Sequence, residues 1–336
     1  MRHISELIDK KRKFSATNGG VVLEYCGNRE ICLSPFSVVE KKAKVNILAL
    51  GDVGGTVLLG LKLLGEDIIE TIGIYDLDES QMRRYEREIN QICFPDGRVM
   101  PRVEIRKEDS LFDCDMFVFC ASKGVPPIGA GGDVRMAQLK ANSELVSIYA
   151  ERAVSHKFNG IFAVVSDPVD PLCKAALYKG LKAEQIQGYG LGVMNGRASY
   201  FAQRDSRFSM YIKEGRAFGP HGEDLVIANS IENYDSRLSD ELTRLTVNSN
   251  METRADGFKP YIAPAISSGA VSIAETFRGG WNYSSVYLGY ESDGAFFGCR
   301  NRRTETGIEL ENLSICNELF DRIKNSYENL CKTEIG

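Results

Sequence analysis

From Lys44 onward, short apolar runs alternate with longer amphipathic ones, and no other feature of this 336-residue chain limits its fold as tightly. VNILAL, TIGIYDL, DMFVFCAS and GIFAVVS read as buried strands, bounded by turn residues and too short for helices. Between them, GTVLLGLKLLG, ESQMRRYEREINQI and VRMAQLKANSELVSIYAERAVSH read as helices. Strands separated by helices need crossover connections, and those crossovers cover both faces of a parallel, doubly wound sheet. Past about residue 166 the pattern becomes mixed. There DPLCKAALYKGL reads as helical, FSMYIKEGRAF as strand-like, and SICNELFDRIKNSYENLCK as a final helix. The fold class is therefore α/β, a doubly wound parallel sheet followed by an α+β half.

The first strand runs into Ala49-Leu50-Gly51-Asp52-Val53-Gly54-Gly55-Thr56, and a helix follows at once. This is the dinucleotide fingerprint GxGxxG with Ala49 in place of its first glycine. Gly51 would let the backbone approach a pyrophosphate. Gly54 would allow the strand and helix to pack closely, and the helix N-terminus would offer free N–H groups. The second strand ends in IGIYDLDES, where Asp76 has the position of the acid that holds the adenosine ribose hydroxyls. A carboxylate there would repel a 2′-phosphate, so the cofactor expected is NAD and not NADP.

Here the chain resembles the lactate/malate dehydrogenase family. The stretches that carry the resemblance are ALGDVGG, DVRMAQLKAN, VVSDPVD and VMNGRASYF followed by GPHGED, in the family's order. The resemblance implies a Rossmann-type domain at 44–166, a catalytic and substrate domain at 167–336, and an N-terminal extension at 1–43. It places Arg197 on the arginine that grips the substrate carboxylate and His221 on the acid/base histidine. Arg135 falls on the mobile-loop arginine that polarises the carbonyl. By the same resemblance Gly51, Asp52, Val53, Gly54, Asp76, Ala121 and Asn142 border the cofactor, and Ser268 borders the substrate. The implied reaction is hydride transfer between nicotinamide and a 2-hydroxy or 2-oxo acid, with no metal. A homodimer or homotetramer is the family's expectation.

The departures matter equally. Met194 stands where the family pairs its histidine with aspartate, and a thioether cannot stabilise imidazolium. Asp167 stands where the family has asparagine. At the end of the strand GIFAVVS it would lie near His221 and supply the missing carboxylate, whereas a helix cap at Pro168 is its structural alternative. The run KGVPPIGAGGDV is longer than the family's lid and lacks the second arginine of malate-specific members, which favours larger monocarboxylic 2-oxo acids over oxaloacetate. A reading from another class is an NAD-binding protein that has lost dehydrogenase chemistry and serves in regulation or assembly. A metal-dependent glycosidase on a similar fold would require Cys173 and His221 as ligands.

Composition narrows the partners to small molecules. A net charge of −5 offers no basic face to nucleic acid, and no apolar run is long enough to span a membrane. The nine cysteines are odd in number and lack CxxC pairing, which suits reduced thiols in the cytoplasm. Ahead of Lys44, VVLEY and ICLSPF flank the turn-like CGNRE and predict a β-hairpin.

Overall fold

The computed structural model describes residues 1–25, 42–123 and 134–335, the side chains of 134–137 excepted. Its centre is an eleven-stranded sheet. Six strands are parallel, in the spatial order Arg102–Ile105, Ile69–Tyr75, Ala43–Leu48, Met116–Phe119, Ile161–Val164 and Ile186–Gly188. Numbered along the chain that order is 3-2-1-4-5-6, the doubly wound order, so a crevice opens beyond the carboxyl ends where the winding reverses. The parallel ladder thus runs on to Gly188, past the expected boundary at residue 166. Three residues leave no periodicity to read in a sequence.

Alternation along the strands divides the core. Val45, Ile47, Met116 and Val118 pack with Val57, Leu58 and Leu61 of the helix Asp52–Leu64 on one face. Phe117, Phe119, Phe162 and Val164 meet Val146, Ala150 and Ala153 of the helix Val134–Ser155 on the other. Side chains two apart share a face, so strands covered on both sides read as unbroken apolar runs.

A single antiparallel pair, Ser285 with Gly188, joins this ladder to Asn282–Tyr287. The sheet then continues through Phe296–Arg303, Gly307–Glu311, Gly20–Glu24 and Phe14–Ala16, all antiparallel. The N-terminal hairpin therefore differs from the expected one. Its VVLE strand pairs back with Phe14–Ala16 and across to Gly307–Glu311, while ICLSPF lies outside the described residues. FSMYIKEGRAF also departs from expectation: Tyr211–Glu214 is a helical turn and only Arg216–Phe218 is strand. The helices at Val169–Tyr178 and Asn317–Lys332 stand where the sequence puts them. No helix among the described residues is long and apolar enough to cross a membrane.

Ala49 has φ 71°, the left-handed region that a Cβ disfavours. The fingerprint glycine missing from the sequence is thus missing at a turn that still adopts the glycine conformation. Ala49→Gly should stabilise the protein by about 0.5–1 kcal/mol, strain relief exceeding the added chain entropy. A urea midpoint that falls instead would show that the Ala49 methyl contributes more by packing.

Candidate active site

The turn after the first parallel strand is built by close approach. A Cβ on Gly54 would stand 1.9 Å from the carbonyl oxygen of Ala49, so only glycine lets the helix start directly against the strand. A Cβ on Gly51 would meet nothing within 4 Å, so open space lies above the helix N-terminus. Asp76 reaches back to this turn, accepting from Leu50 N–H at 2.6 Å and Asp78 N–H at 3.0 Å. Asp52 pairs with Lys259, and Val53 lines a pocket of about 170 Å³.

Ala121 and Asn142 have duties of their own. Ala121 presents its carbonyl to Ser166 Oγ at 2.8 Å. Asn142 is fully buried, donating to Asp167 O at 2.8 Å and accepting from Lys123 N–H at 2.9 Å. Its amide ties together the loop ends that flank the crevice, where buried main-chain groups need partners. Its amide is thereby committed to main-chain groups of the protein.

His221 is held by its loop. Gly219 has φ 89° and donates to Gly298 O, and Ser326 Oγ donates to the carbonyl of Asp224. These contacts direct the imidazole inward, leaving its side chain 16% exposed. Its Nδ1 lies 2.9 Å from Asp167 Oδ1, although the residues are 54 apart in sequence. A carboxylate can only accept, so it keeps a proton on Nδ1 and leaves Nε2 as the atom that exchanges. The helix Val169–Tyr178 has Pro168 as its N-cap, so Asp167 stands just outside it.

Arg197 projects from the helix Leu191–Ala202 and is 9% exposed. Its Nη1 is 3.7 Å from Met194 Sδ, one turn earlier. It makes no ion pair among the described residues. Burial pushes its pKa below the usual guanidinium value, and the Asp167 charge opposes that shift. A guanidinium fork with no carboxylate partner among the described residues can receive an anion. Met194, Arg197, Asp167 and His221 line one pocket of about 290 Å³. Asp167 and His221 also line the 170 Å³ pocket beside Val53, so the two spaces meet at the His221–Asp167 pair. A third space, about 640 Å³, adjoins them at Arg197 and Val193 and is walled by Tyr200, Ile262 and Ile266.

Ser268 lies in Pro264–Val271, which winds as a π-helix. It lines the smaller pocket, but its hydroxyl donates to Gly190 O at 2.7 Å and accepts from Val193 N–H at 2.8 Å. With its donor used, Ser268 fixes the start of the Arg197 helix and has no proton for a substrate. Arg135 belongs to the helix Val134–Ser155, but its side chain and the run 124–133 lie outside the described residues. Cys173 is buried, and desolvation pushes its thiol well up.

Some site residues carry no signal that sequence reasoning used. Gln138 lines both smaller pockets, and its place one turn beyond Arg135 on the same helix could have marked it. Glu223 and Asn250 line the 290 Å³ pocket. Asp170, in the quoted SDPVD, is 3% exposed with its Oδ1 unpaired among the described residues. Burial raises its pKa to about 7, against the opposing effects of a Ser285 hydrogen bond and the His221 charge. Distance along the chain hides this group, since Asp167, Asp170 and His221 come together only through folding.

Residues 43–188 match the family model described as lactate/malate dehydrogenase, NAD binding domain. The chain is 25% identical over 182 residues to an L-lactate dehydrogenase of Corynebacterium jeikeium, covering 54% of each chain. It is 24% identical over 184 residues to L-lactate dehydrogenase 1 of Staphylococcus aureus, covering 54% of this chain and 56% of the relative. These matches span about half the length of the curated relatives. In structure the likeness is longer. A lactate dehydrogenase from a deep-sea metagenome superimposes with TM-score 0.70 at 19% identity, over 87% of this chain and 97% of that one. The malate dehydrogenase of Archaeoglobus fulgidus, solved with NADH, gives 0.67 at 17% identity over 85% and 97%. Residues 43–188 are thus similar to the NAD-binding domain of lactate/malate dehydrogenases, and the open space at Gly51, the close packing at Gly54 and the place of Asp76 beside that turn fit such a cofactor.

Proposed function

We propose that this protein is an NAD-dependent oxidoreductase that moves a hydride between nicotinamide and a 2-hydroxy or 2-oxo carboxylic acid. The observation that carries this reading is the convergence of Arg197, His221 and Asp167 on one pocket. NAD supplies or accepts the hydride when bound. Arg197 grips the substrate carboxylate with both arms of its guanidinium, which compensates the buried charge. His221 gives the proton from Nε2 to the forming hydroxyl, or takes it in the reverse direction. Asp167 holds the ring and stabilises the imidazolium, the duty that Met194 cannot perform. Arg135, at the start of its helix, polarises the carbonyl as charge develops. The protein would act in the cytoplasm as a homodimer or homotetramer, on a small-molecule substrate.

The 640 Å³ space beside Arg197 supports substrates with large side chains. The test is NADH oxidation, followed at 340 nm, across a series of 2-oxo acids. Monocarboxylic acids with bulky side chains should outperform oxaloacetate in kcat/KM. A clear preference for oxaloacetate would overturn the substrate class. NADH binding without turnover on any 2-oxo acid would instead favour a regulatory or assembly protein on this fold, which Met194 favours.

A further inference from the structure

The segment Asp256–Ala263 leaves the helix Ser236–Ala255 and leads into the π-helix, and on the way it returns to the dinucleotide turn. Its Lys259 Nζ lies 2.8 Å from Asp52 Oδ2 across 207 residues of sequence. Asp52 opens the helix that follows Gly51, so this pair sits where the helix N-terminus receives a pyrophosphate. Asp52 suits an empty helix end, yet it opposes an incoming anion. Lys259 offsets that charge.

As a fold-stabilising contact the pair is weak. The Lys259 side chain is 82% exposed and that of Asp52 46%, and ion pairs so exposed contribute little. The segment that presents Lys259 is shaped by its own turns. Gly257 N–H donates to Arg254 O, Tyr261 N–H to Lys259 O and Ala265 N–H to Tyr261 O. Lys259 also borders the 640 Å³ space that reaches Arg197. These local turns carry a weak surface pair whose ammonium stands at the mouth of the cofactor site.

We propose that Lys259 is a cofactor-binding residue, which leaves Asp52 for the pyrophosphate of NAD. A pyrophosphate carries two negative charges and several strong acceptors, so it outcompetes a single exposed carboxylate for the ammonium. The proposal rests on the NAD-binding assignment and is independent of the reaction catalysed.

Equilibrium titration of NADH fluorescence tests it without turnover. Lys259→Gln should weaken NADH about tenfold at low ionic strength, with the difference fading above about 0.5 M salt. Lys259→Arg should stay near the parent, and Asp52→Asn should bind NADH more tightly. Adenosine, which lacks phosphate, should compete equally well against parent and Lys259→Gln. Parent-like NADH affinity in Lys259→Gln would overturn the proposal. So would an equal loss of adenosine affinity, which would assign the effect to distortion of the turn, or a parent protein that binds no NADH.

Discussion

Replacing Asp167 with asparagine is expected to lower kcat by roughly 10²–10⁴-fold, the range for a positioned proton-transfer group. The 2.9 Å contact to His221 Nδ1 is the reason. Asparagine fits the same space but removes the negative charge that favours imidazolium and holds one tautomer. A variant with parent turnover would remove Asp167 from the mechanism. Fluorescence titration with NADH should give parent affinity, separating lost chemistry from lost cofactor.

The same reasoning gives a stricter form of this experiment. If the carboxylate has moved from position 194 to position 167, then Asp167→Asn combined with Met194→Asp restores the family's arrangement. Met194 lines the same pocket as His221 and lies against Arg197, so a new carboxylate there would have a cationic neighbour. The double variant should recover activity over Asp167→Asn alone. No recovery, with the fold intact by circular dichroism, would mean that the two positions are not interchangeable here.

Arg197→Lys is expected to cost about 2–4 kcal/mol of transition-state stabilisation, or roughly 30- to 900-fold in kcat/KM for a 2-oxo acid. The charge survives but the planar fork does not, and a compact ammonium cannot hold both oxygens of a carboxylate. Because Arg197 makes no ion pair among the described residues, the substitution strands no carboxylate among them. The loss should therefore appear in kcat/KM and inhibition by oxamate, with little change in thermal stability. Unchanged oxamate affinity would take Arg197 out of the substrate site.

Much of this protein was legible from the chain alone because the relevant physics is local. Apolar runs such as MFVF can be buried on both faces only in a covered parallel sheet, and a strand that ends in a Gly-rich turn before a helix forms a phosphate-receiving N-terminus. Asp76 could be read as well, since it closes the strand beside that turn. Other features depended on contacts between distant segments. The strand Gly20–Glu24 joined the C-terminal sheet because its open edge found Gly307–Glu311, a choice no local preference encodes. Ser268 and Asn142 proved to be occupied by main-chain groups, and a hydroxyl or amide in a sequence does not reveal what will claim it. Asp170 became a carboxyl shifted toward neutrality only through the burial that closed over it. Sequence could nominate Asp167 and His221 separately. Their hydrogen bond was set by the His221 loop, which Gly298 of an antiparallel strand and Ser326 of the last helix hold opposite Asp167, because hydrogen-bond distance is decided by packing from both sides.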